Sequence, residues 1–184
     1  LVLLLFSFSL GSQKTKVAVQ SYWPEEPGFE TYDLVLSPLP VNPFCWAVIR
    51  VSKTLEEYQL ERALIAPYPQ VVSLTTCSQL KFFSPGALPN PGEVILKETP
   101  IRHSLLELKN LRNNFCEVRD ALQFFRAPYF WKEAGVLYLS DLRFERASRE
   151  GQSRRGFARI RVNPQRTPPC PPSWAPWEPP FNLN

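Results

Sequence analysis

Residues 101–125, IRHSLLELKNLRNNFCEVRDALQFF, decide the fold class, because they carry a helical pattern in a chain otherwise rich in strand patterns. Their apolar residues recur every three or four positions: Ile101, Leu105, Leu108, Leu111, Phe115, Val118, Leu122 and Phe125. This spacing places them on one face of an α-helix. Pro128 ends the pattern, because proline does not continue a helix. The stripe stays in phase through Asn113 and Asn114, which predicts one bent helix, with two shorter helices as the alternative.

Strand patterns lie on both sides of this segment. Short runs rich in β-branched and aromatic residues, bounded by turn residues, predict strands. They occupy residues 32–36, 45–51, 57–64, 71–76 and 157–162, and a hairpin joins residues 129–132 to 136–144 around a turn at 133–135. The chain is therefore predicted to have an α+β fold: an antiparallel β-sheet with one long or two short helices packed on one face, and a proline-rich C-terminal tail.

The two ends of the chain differ from its middle. Residues 1–10, LVLLLFSFSL, are apolar and precede the basic GSQKTK. They make roughly 15 Å of helix, about half of a bilayer core, so residues 1–16 are expected to be the end of a transmembrane helix and its flank. A signal-peptide remnant and a buried core element remain as alternatives. Residues 17–163 are predicted to form one soluble domain, and the prolines of residues 164–184 predict an extended tail.

The net charge of +4 is modest, but positive charge concentrates late in the chain. Between residues 141 and 161 the arginines are Arg143, Arg146, Arg149, Arg154, Arg155, Arg159 and Arg161. An anionic partner such as lipid headgroups is one interpretation, and a solvated loop is the other. Nucleic acid is not expected as a partner, because no nucleic-acid-binding signature accompanies the arginines.

The potential metal and thiol ligands are few. The cysteines, Cys45, Cys77, Cys116 and Cys170, are widely separated, and His103 is the one histidine of the chain. Structural zinc sites use closely spaced ligand pairs, so no metal site or other cofactor is predicted within this chain. Apolar neighbours suggest that Cys45 and Cys116 behave as small hydrophobic residues, and all four cysteines are expected to be reduced. A catalytic thiol–histidine pair with His103 remains open.

Two motifs carry a family resemblance. The first, LPVNPFCW, contains Pro40, Asn42, Pro43 and Trp46; the second joins FFR at residues 124–126 to VLYLSDLRF at residues 136–144. In this order they resemble the C-terminal extramembrane region of bacterial membrane-bound metal-dependent hydrolases of the YdjM-like group. The metal-binding histidines of that group have no counterpart here. The resemblance implies an accessory region anchored in the bacterial inner membrane through its N-terminal segment, with the divalent metal bound in a part of the protein that precedes Leu1.

The motif residues have structural and functional interpretations. Asn42 between prolines is predicted to bond its own backbone, and Trp46 to fill the core with its N–H bonded. Arg126 is predicted to pair with Asp141, with Asp141 and Arg143 on the same face of a strand. The alternative is a pocket in which Arg126 and Arg143 bind an anionic headgroup or a substrate phosphate.

Three functional hypotheses follow from these observations. The first is a non-catalytic accessory domain of a membrane-bound metal-dependent hydrolase. The second is a stand-alone secreted or membrane-anchored ligand-binding module. The third is a free-standing enzyme that uses Asp141 together with the arginines.

Overall fold

The computed structural model of the 184-residue chain describes residues 2–40, 42–78, 92–145, 159–162 and 169–170. Within these residues the α-helices are α1 (Val2–Tyr22), α2 (Leu74–Ser78), α3 (Leu105–Asn114) and α4 (Cys116–Ala121). The strands are β1 (Glu30–Leu39), β2 (Asn42–Lys53), β3 (Glu57–Ile65), β4 (Ile95–Lys97), β5 (Ile101–Ser104), β6 (Pro128–Glu133), β7 (Val136–Asp141) and β8 (Ile160–Arg161). A 3₁₀ helix, Leu142–Phe144, follows β7. The predicted α+β class is confirmed.

The strands of the described residues form two sheets. In the larger sheet the order is β1-β2-β3-β4, and β5 also pairs with β3. β3 and β4 are antiparallel, with Leu64 opposite Leu96. In the smaller sheet the order is β6-β7-β8, antiparallel throughout, with Leu139 of β7 opposite both Phe130 of β6 and Ile160 of β8.

The chain divides into two compact units. The first comprises Leu1–Ser52 and Leu60–Ile101, and the second comprises Lys53–Gln59 and Arg102–Asn184. The sequence predicted a single domain from residue 17 to residue 163. The boundary predicted at residue 16 falls inside α1, and the tail predicted for residues 164–184 lies outside the described residues except at 169 and 170.

In the first unit, the later part of α1 packs on the sheet. The cluster combines buried residues of α1 and of the position just after it with buried residues of β2 and β3: Ala18, Val19, Trp23, Trp46, Val48, Ala63 and Ile65. Burial of this apolar surface supplies most of the drive to hold the helix against the strands. None of the helices in the described part of the chain combines the length and the apolar character that a membrane crossing requires.

In the second unit, both helices contribute to the core. Leu108 of α3, Val118 of α4 and Leu122 just after α4 are buried, as are Phe130 and Leu139 of the small sheet. The apolar stripe found in the sequence therefore does face a core, although the backbone that carries it is not one continuous helix.

The single bent helix predicted for residues 101–125 is wrong, and the alternative of two short helices is confirmed. The segment begins as β5, and α3 starts after Ser104, whose side chain accepts a hydrogen bond from the backbone N–H of Glu107 (3.3 Å). Serine is a preferred N-cap residue. The helix ends at Phe115, which is extended (φ −133°, ψ 121°), before α4 begins. The side chain of Asn114 bonds the carbonyl of Asn110, a local bond that competes with helical pairing.

The strand predicted for residues 71–76 is also wrong. The segment forms a turn followed by α2. Ser73 precedes the helix, and its hydroxyl accepts from the backbone N–H of Thr76 (3.2 Å). The remaining strands and the hairpin are confirmed, and the last predicted strand is described at residues 159–162, where β8 lies.

The expectation of four reduced thiols is wrong, because the cysteines form two disulfides. Cys45 bonds Cys77 in the first unit, and Cys116 bonds Cys170 in the second. The Cα atoms of the pairs lie 5.5 and 5.4 Å apart, within the normal range for disulfides. The partners are 32 and 54 residues apart in sequence, so the pairing depends on the tertiary fold.

Candidate functional site

The second sequence motif centres on a buried carboxylate, that of Asp141 at the end of β7. None of the residue's surface is exposed. Its Oδ1 accepts a hydrogen bond from the backbone N–H of Arg143 (2.9 Å), and its Oδ2 accepts from the backbone N–H of Arg126 (2.8 Å). The carboxylate therefore caps the 3₁₀ helix after β7 and also holds the chain that leads into β6.

The guanidinium of Arg143 contacts the same carboxylate. Its Nε and Nη2 lie 2.9 and 2.7 Å from Oδ2 of Asp141, and Nη2 also donates to the backbone carbonyl of Phe124 (2.8 Å). The guanidinium carbon lies 4.9 Å from the ring centre of Phe144. The Arg143 side chain keeps 22% of its surface exposed whereas the Asp141 side chain keeps none, so solvent reaches this ion pair from the arginine side.

Arg126, Asp141 and Arg143, the residues predicted to share a site, do come together. The backbone N–H of Arg126 donates to Asp141, whereas the predicted pairing of the Arg126 side chain with this carboxylate stays a prediction. The prediction that Asp141 and Arg143 share one face of a strand is wrong, because β7 ends at Asp141 and Arg143 lies in the 3₁₀ helix. Anion binding by these arginines stays a prediction.

This arrangement is suited to holding structure rather than to proton transfer. A general base must reach a substrate proton, but the Asp141 oxygens are buried and already accept from backbone and guanidinium donors. The hypothesis of a free-standing enzyme built on Asp141 therefore gains no support from the geometry.

A second buried polar pair lies beside this carboxylate and was missed in the sequence. The hydroxyl of Ser140 donates to Oε1 of Glu145 (2.8 Å), and both residues are buried. The bond joins β7 to the residue that follows the 3₁₀ helix. Nothing in the local pattern marks Glu145 as buried, because it stands in an arginine-rich stretch.

In the first motif, around Pro40, Asn42, Pro43 and Trp46, the side chains of Asn42 and Trp46 make the backbone bonds predicted for them. Oδ1 of Asn42 accepts from the backbone N–H of Phe44 (2.9 Å), which fixes the start of β2. Trp46 is buried, and its Nε1 donates to the backbone carbonyl of Pro43 (2.8 Å). Pro40 occupies the turn after β1.

The first unit also contains a buried ion pair that sequence reasoning missed. Nε of Arg50 lies 2.7 Å from Oε2 of Glu61, and its Nη1 donates to the carbonyl of Trp23 (2.7 Å). The indole N–H of Trp23 donates to the other oxygen of Glu61 (3.1 Å), and the guanidinium carbon lies 4.4 Å from the indole ring. These mutual bonds offset the cost of burying the charges, so the cluster is structural. The available signal was a charged residue within the apolar part of each strand, Arg50 in β2 and Glu61 in β3.

An aromatic ladder crosses one face of the small sheet. Trp131 stacks between Tyr129 and Tyr138 at ring-centre distances of 5.0 and 5.5 Å. The guanidinium carbon of Arg159 lies 3.7 Å from the Tyr138 ring centre, and Arg159 also pairs with Glu133. Tyr129 is buried, whereas Trp131 and Tyr138 are half-buried. The stacked rings and the arginine contact stabilise cross-strand pairing.

His103 is part of an aromatic contact in the second unit. Its ring stacks on Phe130 at 4.2 Å and lies 5.5 Å from the ring of Tyr58. A thiol–histidine pair does not form, because every cysteine is in a disulfide. Across the residues that the structure describes, no group of three or more His, Cys, Asp or Glu residues is placed to hold a metal ion.

Within the described residues, the Arg143–Asp141 pair is open to solvent on its arginine side. Comparison of the chain with protein-family models, with curated proteins and with solved structures finds no match.

Proposed function

We propose that this chain is a non-catalytic accessory region of a membrane-bound metal-dependent hydrolase, whose metal chemistry belongs to another part of the protein. The proposal rests on the contacts that the two motifs of the family resemblance make in the structure. In the first unit, Asn42 and Trp46 bond the backbone of their own turn. In the second unit, Asp141 holds backbone and guanidinium donors. Motifs that build architecture fit a supporting region better than a catalytic centre.

The disulfides support a location for this region. Structural disulfides persist in oxidising compartments and are rare in the reducing cytosol. The bonds Cys45–Cys77 and Cys116–Cys170 place one such link in each unit. We therefore place the region on the periplasmic side of a bacterial inner membrane, where it holds a substrate or partner near a membrane-embedded metal site.

The test is the gene sequence upstream of the codon for Leu1. We expect several hydrophobic spans of about 20 residues that carry histidines. A start codon with a short basic region within about 15 residues of Leu1 would overturn the proposal, because that is the layout of a signal peptide. Metal analysis of the whole protein gives a second readout. Substitution of the upstream histidines is expected to remove bound metal, whereas Arg143→Gln is expected to leave it.

The second candidate function is a stand-alone secreted or membrane-anchored ligand-binding module. The disulfides favour this candidate equally, because small secreted domains commonly depend on them. Fractionation of the native host separates the first candidate from the secreted form of the second, and the upstream gene sequence separates it from the membrane-anchored form. An accessory region of an integral protein stays in the membrane pellet after an alkaline carbonate wash, whereas a secreted module appears in the soluble fraction.

A further inference from the structure

We propose that the second unit docks on anionic phospholipid membranes through Phe124, Arg126, Arg143 and Phe144, which we call the Phe124–Phe144 patch. This inference rests on the proposed membrane-bound function and gives it a partner, the lipid surface. The patch surrounds the buried carboxylate of Asp141, so a rigid scaffold presents it.

The apolar part of the patch consists of two exposed rings. Phe124 and Phe144 have 44% and 40% of their surface exposed. Their neighbours in sequence, Phe125 and Leu142, are 6% and 5% exposed and supply the core. The two rings are thus apolar side chains that the folding of this unit leaves in contact with water.

One guanidinium links the two phenylalanines. Arg143 donates to the backbone carbonyl of Phe124 and lies 4.9 Å from the ring centre of Phe144. Arg143 therefore contacts the backbone of one of these residues and the ring of the other. Aromatic side chains concentrate at the headgroup level of membranes, because that layer accepts an apolar ring beside polar groups.

Arginines accompany these rings. Arg143 pairs with Asp141, and Arg126 is exposed beside the same carboxylate. The sequence that follows Phe144 adds Arg146, Arg149, Arg154 and Arg155, against Glu145 and Glu150. Basic residues near a surface gain free energy from anionic lipids, and apolar rings gain from partial insertion. An anionic lipid surface matches both parts of the patch together, whereas a small soluble anion matches the arginines alone.

The experiment measures sedimentation of the full 184-residue protein with phosphatidylcholine vesicles that contain or lack phosphatidylglycerol. Phe6 and Leu10 of α1 are also exposed and can contact lipid, so vesicle binding by the wild type does not identify the binding surface. The comparison of variants with the wild type identifies it. The doubly substituted protein Phe124→Ser/Phe144→Ser is expected to bind phosphatidylglycerol vesicles roughly tenfold more weakly. Arg126→Gln is expected to weaken binding several-fold at low salt, with the difference shrinking as salt is added.

Control variants remove an exposed apolar side chain and an exposed cation elsewhere in the second unit. Leu55 is 99% exposed, and Lys109 is an exposed cation on α3. Leu55→Ser and Lys109→Gln are expected to leave vesicle binding unchanged. Circular dichroism and denaturant unfolding of each variant verify that it folds. The double substitution Phe124→Leu/Phe144→Leu is milder, because it retains apolar surface, and it should retain binding.

Several results would overturn the inference. One is equal binding of the wild type and the serine pair, and another is equal loss with the Leu55 control. Competition by inorganic phosphate with no dependence on the phenylalanines would indicate a soluble-anion site instead. Concentration-dependent self-association that the serine pair removes would assign the patch to a second copy of the chain. None of these results alters the upstream gene test, so failure here is distinguishable from failure of the proposed function.

Discussion

Gly11 of α1 lies against Trp46 of β2 so closely that no side chain fits between them. A Cβ atom on Gly11 would stand 3.0 Å from Nε1 of Trp46 and 2.8 Å from the carbonyl oxygen of Pro43. These two atoms are the donor and acceptor of the hydrogen bond that fixes the tryptophan. Helix α1 therefore packs against the first sequence motif at the hydrogen bond between Trp46 and Pro43.

Substitution Gly11→Ala is expected to lower the free energy of unfolding by about 1–3 kcal/mol, because backbone must shift to admit the methyl group. The direction of this change distinguishes close packing from an open helix surface, because alanine in place of glycine inside an ordinary helix stabilises by about 0.5–1 kcal/mol. Denaturant unfolding measures the change. Gln13→Ala, at an exposed position of the same helix, is the control and should stay within about 0.5 kcal/mol of wild type. A more stable Gly11→Ala protein would show that α1 does not pack on this turn.

Substitution Asp141→Asn is expected to cost about 3–5 kcal/mol of unfolding free energy, because it leaves a guanidinium without its buried partner and turns an amide group toward N–H donors. The control is Asp120→Asn. Asp120 pairs with Arg119, but both side chains are about 30% exposed (28% and 32%), so that change should cost less than about 1 kcal/mol. Similar losses in the two variants, measured by denaturant unfolding, would contradict the structural role of Asp141.

The elements that the sequence predicted well are those fixed by local patterns. The hairpin of β6 and β7 needs only alternating side chains and a turn at Ala134 and Gly135, and both are visible in the sequence. The helical stripe was found but its limits were not, because the N-cap at Ser104 and the break at Phe115 interrupt the backbone without disturbing the spacing of apolar residues.

The contacts that were not predicted from the sequence join residues that are far apart in the chain. Arg50 of β2 and Glu61 of β3 form an ion pair across neighbouring strands, and the indole N–H of Trp23 donates to Glu61. The disulfides likewise depend on tertiary proximity rather than on cysteine spacing. At the candidate site, the sequence identified the right residues, but it did not show that the link from Arg126 to Asp141 uses a backbone N–H.

Removal of either disulfide is expected to destabilise its unit by about 4 kcal/mol in the loop-entropy model, because the closed loops span 32 and 54 residues. The variants are Cys45→Ser/Cys77→Ser and Cys116→Ser/Cys170→Ser, and unfolding is followed in denaturant. Wild-type protein that is denatured without reductant should not react with a maleimide, and after reduction it should gain labels on every cysteine. Full labelling before reduction would contradict the disulfide assignment.

Substitution Ala134→Asn is expected to raise the free energy of unfolding by about 0.5–1 kcal/mol. Ala134 and Gly135 form the hairpin turn with φ angles of +49° and +78°, and asparagine tolerates positive φ better than alanine does. Ala134→Val is the opposing control, because a β-branched residue resists this conformation and should destabilise the hairpin. If valine matched or exceeded asparagine in thermal or denaturant unfolding, the turn geometry would be wrong.

Stability is expected to fall at alkaline pH because of Tyr58. Burial of its phenol, and secondarily the negative charge of Glu107, raise the pKa of Tyr58 well above its ordinary value of about 10. Above pH 10 the unfolded chain releases this proton while the folded protein keeps it on the hydroxyl that donates to the carbonyl of Pro128 (2.8 Å). The unfolded state then binds fewer protons, so the free energy of unfolding declines by up to about 1.4 kcal/mol per pH unit from this group. Below pH 10 its contribution is constant.

Denaturant unfolding between pH 8 and about 11 should show a shallower decline in Tyr58→Phe, although that variant starts less stable because it lacks the hydroxyl bond. Tyr22→Phe, at an exposed tyrosine, should retain the wild-type slope. Equal slopes for Tyr58→Phe and wild type would show that the phenol ionises as freely in the folded protein as in the unfolded chain.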